Sequence, residues 1–409
     1  NIFKGNKISY KSNNNKIRKT SDNNNYEPIR IFSDYSYIKY QSKDNSILST
    51  IEKEIEKAMD DAVKIVQKLI SLNPLAYNIN KITSEDLTQW GFKSNNIENK
   101  LLSEGKGIQT DLVILLKFIE TGEENLLLDN DIASFSTKFI LDEETKRPII
   151  GTIYINNNIN INIANFDLFL KTIFLHEITH ILGFYYDLFQ YYPGGLEKTI
   201  VTEIEERTKV EKKFIITPKV VEFAKKYFNC TELRGVELEN QHDLPWSHWE
   251  ARILLGEYMT SSPYTPEQVI SEFTLSLLED SGWYKVNYYT GGLMRFGKSK
   301  GCEFLNKDCM DTTRKPNFNY EFCDFSQGVQ PTCSSGRQSR TYCESYPMIQ
   351  IDKKYMIYKR FGSFIGRMNA DYCFVNDIDK EEEKDIYYRG NCKYGNGKYG
   401  THNNFGNEE

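Results

Sequence analysis

One nine-residue stretch, His176-Glu177-Ile178-Thr179-His180-Ile181-Leu182-Gly183-Phe184, constrains this chain more than any other part of it. Wound as an α-helix, it sets positions 176 and 180 one turn apart, so both imidazoles leave the same face and can converge on one tetrahedral metal ion. Glu177 lies between them, free to act on the water of an open coordination position rather than to bind metal. The pattern predicts a zinc site, one Zn2+ per chain, with a base beside it. Periodicity supports the helix independently: Phe169, Ile173, His176, His180 and Phe184 share one stripe, and Leu175, Ile178 and Leu182 form a second, roughly opposite. A helix apolar on two sides is buried, which puts the site deep in a cleft. Asn165 or Asp167 is the expected cap at its start, and Gly183 the expected stop. With only five His among 409 residues, a chance H-E-x-x-H within a core helix is the weaker account.

Length and composition bound the rest. The chain is long enough for two or three domains with sizeable cores, and its net charge of -6 gives no reason to expect nucleic acid or an anionic membrane as partner. No stretch is long and apolar enough to span a bilayer and no signal peptide is present; opening on Asn1 rather than Met, the chain reads as a processed or truncated product. Of the eight Cys, none precedes Cys230 and seven crowd into Cys302, Cys309, Cys323, Cys333, Cys343, Cys373 and Cys392. An even number concentrated in a loop-rich C-terminal third predicts a disulfide framework made in a secretory compartment, hence a secreted or cell-surface protein. The absence of any C-x-x-C pair argues against a second zinc site built from Cys. Asn229-Cys230-Thr231 is an N-glycosylation sequon, placing a candidate glycan at Asn229.

Along the chain, residues 1–25 form a basic, Asn-rich tail expected to be disordered. Ile29-Arg30-Ile31-Phe32 is a strand candidate, residues 47–71 carry a core-packing helix bounded by Asn73-Pro74, and Leu112 to Leu116 suit a strand buried on both faces. Arg147 to Ile155 is a β-rich run whose Pro148 argues for an edge position. That makes Gly151, Thr152, Ile153 and Tyr154 candidates for a rail that holds an extended substrate as an added strand. A helix is expected after Thr217-Pro218, and another with Thr265 as cap, Pro266 at its first position and Gly282 after its end. Lys380 to Lys384 reads as a solvated face.

The third ligand is less constrained. His402 lies in a Gly/Asn-rich tail and His242 in a polar stretch, whereas His248 stands between Trp246 and Trp249, where it can be buried. Glu203, Glu205 and Glu206 offer a carboxylate instead, as gluzincin-type peptidases use from a later helix. Both options stay open on residue context alone.

The ordered set of motifs resembles leishmanolysin-type surface metalloproteases, a metzincin family in which an insertion separates the glycine from the third His. The residues are His176-Glu177-x-x-His180-x-Leu182-Gly183-Phe184, Ser247-His248-Trp249-Glu250, Met259 eleven residues after His248, and Leu278 to Tyr284. Arg147-Pro148-x-x-Gly151 is similar to the family's segment before the active-site helix. The likeness extends over roughly residues 28–300. It implies that His176, His180 and His248 ligate zinc, that Glu177 is general base and acid, and that Met259 forms the turn beneath the metal. It implies an α+β fold: a metzincin-like catalytic domain with a mixed sheet and a buried active-site helix, an inserted, mostly helical central domain, and a Cys-rich, loop-rich C-terminal domain. The expected boundaries are 26–184, 185–300 and 301–409. With no Cys upstream of the site, the chain looks like a mature form without an inhibitory propeptide; the end Asn407-Glu408-Glu409 has no hydrophobic anchor signal, so any membrane anchor would have been lost by processing.

The expected activity is zinc-dependent endopeptidase action on protein or peptide substrates through a zinc-activated water, with Tyr258 or Tyr264 as a minor candidate for an oxyanion donor. A noncatalytic surface or adhesion protein that keeps zinc as a staple is the alternative from another class, and an intact Glu177 argues against it.

Overall fold

A computed structural model describes residues 25–377 apart from 94–95, 121–132, 158, 160–165, 206–208, 241–245, 262–267, 289–293, 312, 314, 320, 325–330, 338–339, 344 and 348–363. The basic tail, Asn165, His242, Tyr264, Thr265, Pro266, Lys380 to Lys384, Cys392 and His402 fall outside the described residues.

The first part runs β1 (Glu27–Pro28), β2 (Ile31–Asp34), α1 (Ser36–Ser42), α2 (Ser46–Leu69), β3 (Ile70–Leu72), α3 (Ser84–Gln89), β4 (Leu112–Phe118), β5 (Ser134–Leu141), β6 (Pro148–Ile155) and α4 (Phe166–Leu182). Helix α2 forms where its apolar spacing predicts, burying Ile51, Ile55, Met59, Ala62, Val66 and Leu69 on one stripe, and the Asn45 side chain caps it by accepting from the Ile47 and Leu48 amides at 3.1 Å. It stops at Leu69 because Ile70–Leu72 goes into an antiparallel ladder with β1.

Strands β2, β4 and β6 are parallel and β5 closes the sheet antiparallel, in the order β2-β4-β6-β5. The continuous apolar run of β4 is buried along its whole length, as a central parallel strand requires. Ile114, Leu116 and Phe118 join the core shared with α2 and α4, while Val113 and Leu115 pack with Trp90 and Phe92 of the second core.

Residues 148–155 form a strand, but not the edge. β6 is hydrogen-bonded on both sides, and Pro148 is tolerated because it opens the strand, where its missing N–H costs little. Gly151 marks the close approach of helix to sheet, since a Cβ there would stand 2.6 Å from Ile181 Cγ2 of α4. Thr152 donates to the Thr137 carbonyl, Ile153 is fully buried, and Tyr154 donates to the Trp90 carbonyl at 2.9 Å. These four residues are enclosed and cannot serve as the substrate rail; the edge is β5.

Among the described residues after α4, helix outweighs strand, and the segment also carries a small sheet. It contains α5 (Leu196–Thr199), β7 (Ile200–Ile204), β8 (Glu211–Ile215), α6 (Pro218–Phe228), β9 (Val236–Leu238), α7 (Ala251–Leu254), α8 (Glu272–Asp280) and β10 (Lys285–Val286). β7, β8 and β9 make an antiparallel sheet. β7 and β8 are consecutive and pair as a hairpin, whereas β9 joins β8 from beyond α6, a pairing that local signals do not reveal. Helix α6 starts at Pro218 as expected, whereas α8 begins at Glu272 behind Ser271 and is followed by Gly282 at φ +76°.

The C-terminal part holds α9 (Cys302–Asn306) and the short strands β11 (Pro331–Cys333), β12 (Arg340–Cys343), β13 (Tyr346–Pro347), β14 (Phe364–Ile365) and β15 (Asn376–Asp377). Disulfides join Cys230 to Cys302, Cys309 to Cys373, and Cys323 to Cys343. The first ties the end of α6 to α9, so the Cys-rich part is stapled to the rest. Among the described residues no helix is long and apolar enough to cross a membrane.

Candidate metal centre

Every residue of α4 from Ile173 to Leu182 is buried, with Leu175 the most exposed at 7%, as a helix apolar on two sides demands. Asp167 sits in its first turn rather than at the cap. The helix ends at Gly183, whose amide takes up the Thr179 and His180 carbonyls at 3.2 and 3.1 Å. Gly183 adopts φ +151°, and a Cβ there would press to 3.2 Å on the Trp283 ring and the Tyr192 hydroxyl.

One turn apart on this helix, His176 and His180 bring their Nε2 atoms to 3.0 Å. His248, from a separate segment, brings its Nε2 to 3.1 Å from that of His176. Its segment is laid against the end of β9: the Glu239 amide donates to the His248 carbonyl at 3.0 Å and the Trp246 amide to the Glu239 carbonyl at 2.9 Å. Trp249, fully buried, locks the next residue, with its ring 4.9 Å from Phe184 and its indole N–H on Thr274 Oγ1 at 2.9 Å.

The turn Glu257-Tyr258-Met259 touches the cluster through His176. Met259 is fully buried, and its carbonyl accepts from the Trp249 amide at 3.0 Å. The buried Glu257 carboxylate holds the turn by accepting from the Met259 amide and from the Ser271 and Thr274 hydroxyls at 2.8 and 2.7 Å. The Tyr258 carbonyl accepts from His176 Nδ1 and the Phe184 carbonyl from His180 Nδ1, both at 2.7 Å. A carbonyl can only accept, so both protons sit on Nδ1 and both Nε2 atoms face inward as lone pairs. Burial lowers the His176 pKa to about 4; burial and then the neighbouring His176 lower that of His180 to about 3. Neutral nitrogens packed this closely repel one another unless a cation lies between them, and three imidazoles suit a borderline ion such as Zn2+.

Glu177 is also buried. Burial pushes its carboxyl up to about 7, against the hydrogen bond that Ser134 Oγ donates to Oε1 at 2.9 Å. Ser136, through its side chain and its backbone, also favours the charged carboxylate, and Oε2 is left without a hydrogen bond of regular geometry. A carboxylate oxygen short of hydrogen bonds in a water-excluded site is costly, and a polar group carried by a bound ion would relieve it. The residues therefore fit the metal.

The other candidates separate from this cluster. Glu203 stands exposed on β7. The Tyr258 hydroxyl is bonded to Thr179 Oγ1 at 2.9 Å in the interior, a packing role. Asn229 is exposed at the left-handed C-cap of α6. Ser134, Glu239 and Glu257 were not singled out by sequence reasoning. The period-two pattern of Ser134-Phe135-Ser136 was the one local signal for the first; the two glutamates carried none.

The family model for leishmanolysin matches residues 54–378. The chain belongs to the leishmanolysin family. Its α+β architecture agrees with that assignment. Among relatives, it is 27% identical over 362 residues to a leishmanolysin-like peptidase of Caenorhabditis elegans, covering 72% of this chain and 53% of that protein. It is 37% identical over 126 residues to the leishmanolysin-like peptidase of Drosophila melanogaster, covering 30% and 17%. A leishmanolysin homolog of Crithidia fasciculata is 29% identical over 273 residues, covering 64% and 38%. The chain spans about half the length of the nematode relatives it matches.

Proposed function

We propose that this leishmanolysin-family chain is a secreted or cell-surface endopeptidase acting on proteins or peptides, with His176, His180 and His248 holding one Zn2+ and Glu177 as general base and acid. The observation that carries the reading is the convergence of three imidazole nitrogens beside a buried Glu177 whose Oε2 is left without a hydrogen bond of regular geometry. When bound, zinc supplies a Lewis acid for the scissile carbonyl and lowers the pKa of water to about 7. Glu177 accepts the proton of the attacking water at Oε2 and delivers it to the leaving amine. Burial works to raise this carboxyl, the direction that helps it hold the proton it takes before passing it on. Ser134 holds the other oxygen and so aims the carboxylate. Because Ser134 belongs to β5, the edge strand and the base are coupled: the outer side of β5 pairs with no strand among the described residues and offers its backbone to an extended peptide. Met259 forms the buried turn under the metal, and the exposed Asn229 is accessible to glycosylation in a secretory compartment.

Neither alternative draws comparable support. A noncatalytic adhesion protein with zinc as a staple has no use for an unligated carboxylate aimed at the site. A carboxylate-type site would need a buried acid from this stretch, but Glu203 is exposed and Glu205 only half-buried, while Glu206 lies outside the described residues.

The test is cleavage of a denatured protein with and without a zinc chelator, repeated with Glu177→Gln. Cleavage should be chelator-sensitive, and the variant should keep its metal while losing activity by about 10²–10⁴-fold. Full activity in Glu177→Gln removes Glu177 from the mechanism.

A further inference from the structure

The far nitrogens of the three imidazoles do not face equivalent groups. Those of His176 and His180 donate to main-chain carbonyls at 2.7 Å, whereas Nδ1 of His248 faces the Glu239 carboxylate, 3.8 Å from Oε2. That separation is an electrostatic contact rather than a hydrogen bond. The carboxylate is 1% exposed and His248 16%, so water screens the pair weakly. The backbone holds them side by side: the Glu239 amide donates to the His248 carbonyl, the Trp246 amide returns to the Glu239 carbonyl, and Leu238 bridges Trp249 in antiparallel register. Glu239 therefore cannot drift from His248 without breaking the end of β9.

We propose that Glu239 is a positioning residue for the metal centre, acting through His248. A carboxylate behind an imidazole favours the proton on the nitrogen that faces it and raises the basicity of the nitrogen that points at the metal. It also places a full negative charge near a dication otherwise met by neutral ligands. His248 would thus be the ligand whose strength is tuned by charge, while His176 and His180 are tuned by carbonyl dipoles. The assignment rests on the reading of the three His as ligands.

The experiment compares the wild-type chain with Glu239→Gln and Glu239→Ala, and uses Glu211→Gln, an exposed site, as control. Zinc affinity is measured by competition with a chromophoric chelator, and the visible spectrum is recorded for the cobalt-loaded proteins. Glu239→Gln, which keeps the volume and removes the charge, should weaken metal binding by about tenfold and shift the cobalt bands, and Glu239→Ala should weaken it by up to about a hundredfold. The control should match wild type. Should Glu239→Ala fail to fold, the isosteric variant still decides. Equal affinity and an unchanged cobalt spectrum in Glu239→Gln overturn the proposal, because a residue that only packs would tolerate the isostere. A wild-type chain that takes up no metal overturns the ligand reading itself, an outcome distinct from a metal-binding wild type with an indifferent variant.

Discussion

Among the described residues two clusters bring together side chains of metal-ligand type, and their contrast shows what makes such a cluster a binding site. One is His176, His180 and His248; the other is Glu237, Glu250 and Asp371, all fully buried. The second already contains its cations. Lys212 Nζ lies 2.5 Å from Glu237 and 3.6 Å from Asp371, and Arg252 reaches Glu237 at 3.1 Å and Asp371 at 3.2 Å. With three acids against two bases the network carries one negative charge too many. Glu250 absorbs it: burial, then Asp371 and Glu237, raise its carboxyl well above the usual range. The acidic cluster is thus an internally neutralised bolt between β8, β9, α7 and the C-terminal part, whereas the histidine cluster has converging lone pairs and, among the described residues, no cation of its own. Proximity of ligand atoms is common to both; an unmet positive charge belongs to one.

The largest effect that can break this contrast is at His248. Replacing it with Ala should lower zinc affinity by about a thousandfold or more, read as metal content after dialysis against a weak chelator, since two imidazoles alone make a poor site for zinc. Retention of stoichiometric metal by that variant would mean the third ligand lies elsewhere. Next in size is Arg252→Met, which leaves buried carboxylates uncompensated and should cost about 3–5 kcal/mol in denaturant unfolding without changing metal affinity in the folded fraction. A loss of metal affinity there would show the two clusters to be linked.

The smallest effects concern pH, and here the clusters should have opposite signs. The folded pKa of Glu250 lies above its unfolded value. Its contribution to stability is therefore full below about pH 4.5 and is lost as pH rises through the folded value. Glu250→Gln should change stability by about 1 kcal/mol or less at acid pH, and should flatten that loss at higher pH. In the metal-free chain His176 and His180 have folded values of about 4 and 3 against 6.5 unfolded. Their contribution is present above pH 6.5 and is lost as pH falls toward 4. Denaturant titrations of the metal-free protein across pH 4–7 should show a loss on acidification that is reduced in His176→Ala; an unchanged slope would mean the rings are not held neutral by burial.

What the sequence determined by itself was the local part of the site. H-E-x-x-H encodes its own geometry because a helix converts a spacing of four into one face, and the doubled apolar stripe of α4 announced its burial. The spacing-based helices α2 and α6 and the buried strand β4 were legible for the same reason: each is set by residues within a few positions of one another. Tertiary structure decided whatever depends on which segments become neighbours. Pro148 suggested an edge, yet β5 comes back antiparallel to take that place and leaves β6 in the interior. β9 joins β8 across the intervening α6 through a ladder that no local period encodes. Glu239 gains its place beside His248 only when β9 lies along residues 246–249, and Glu257 joins Ser271, Thr274 and the turn before Met259 only once α8 has docked. The acidic bolt draws on residues from Lys212 to Asp371, and whether its carboxylates would await a metal or meet their own lysine and arginine is a matter of long-range packing.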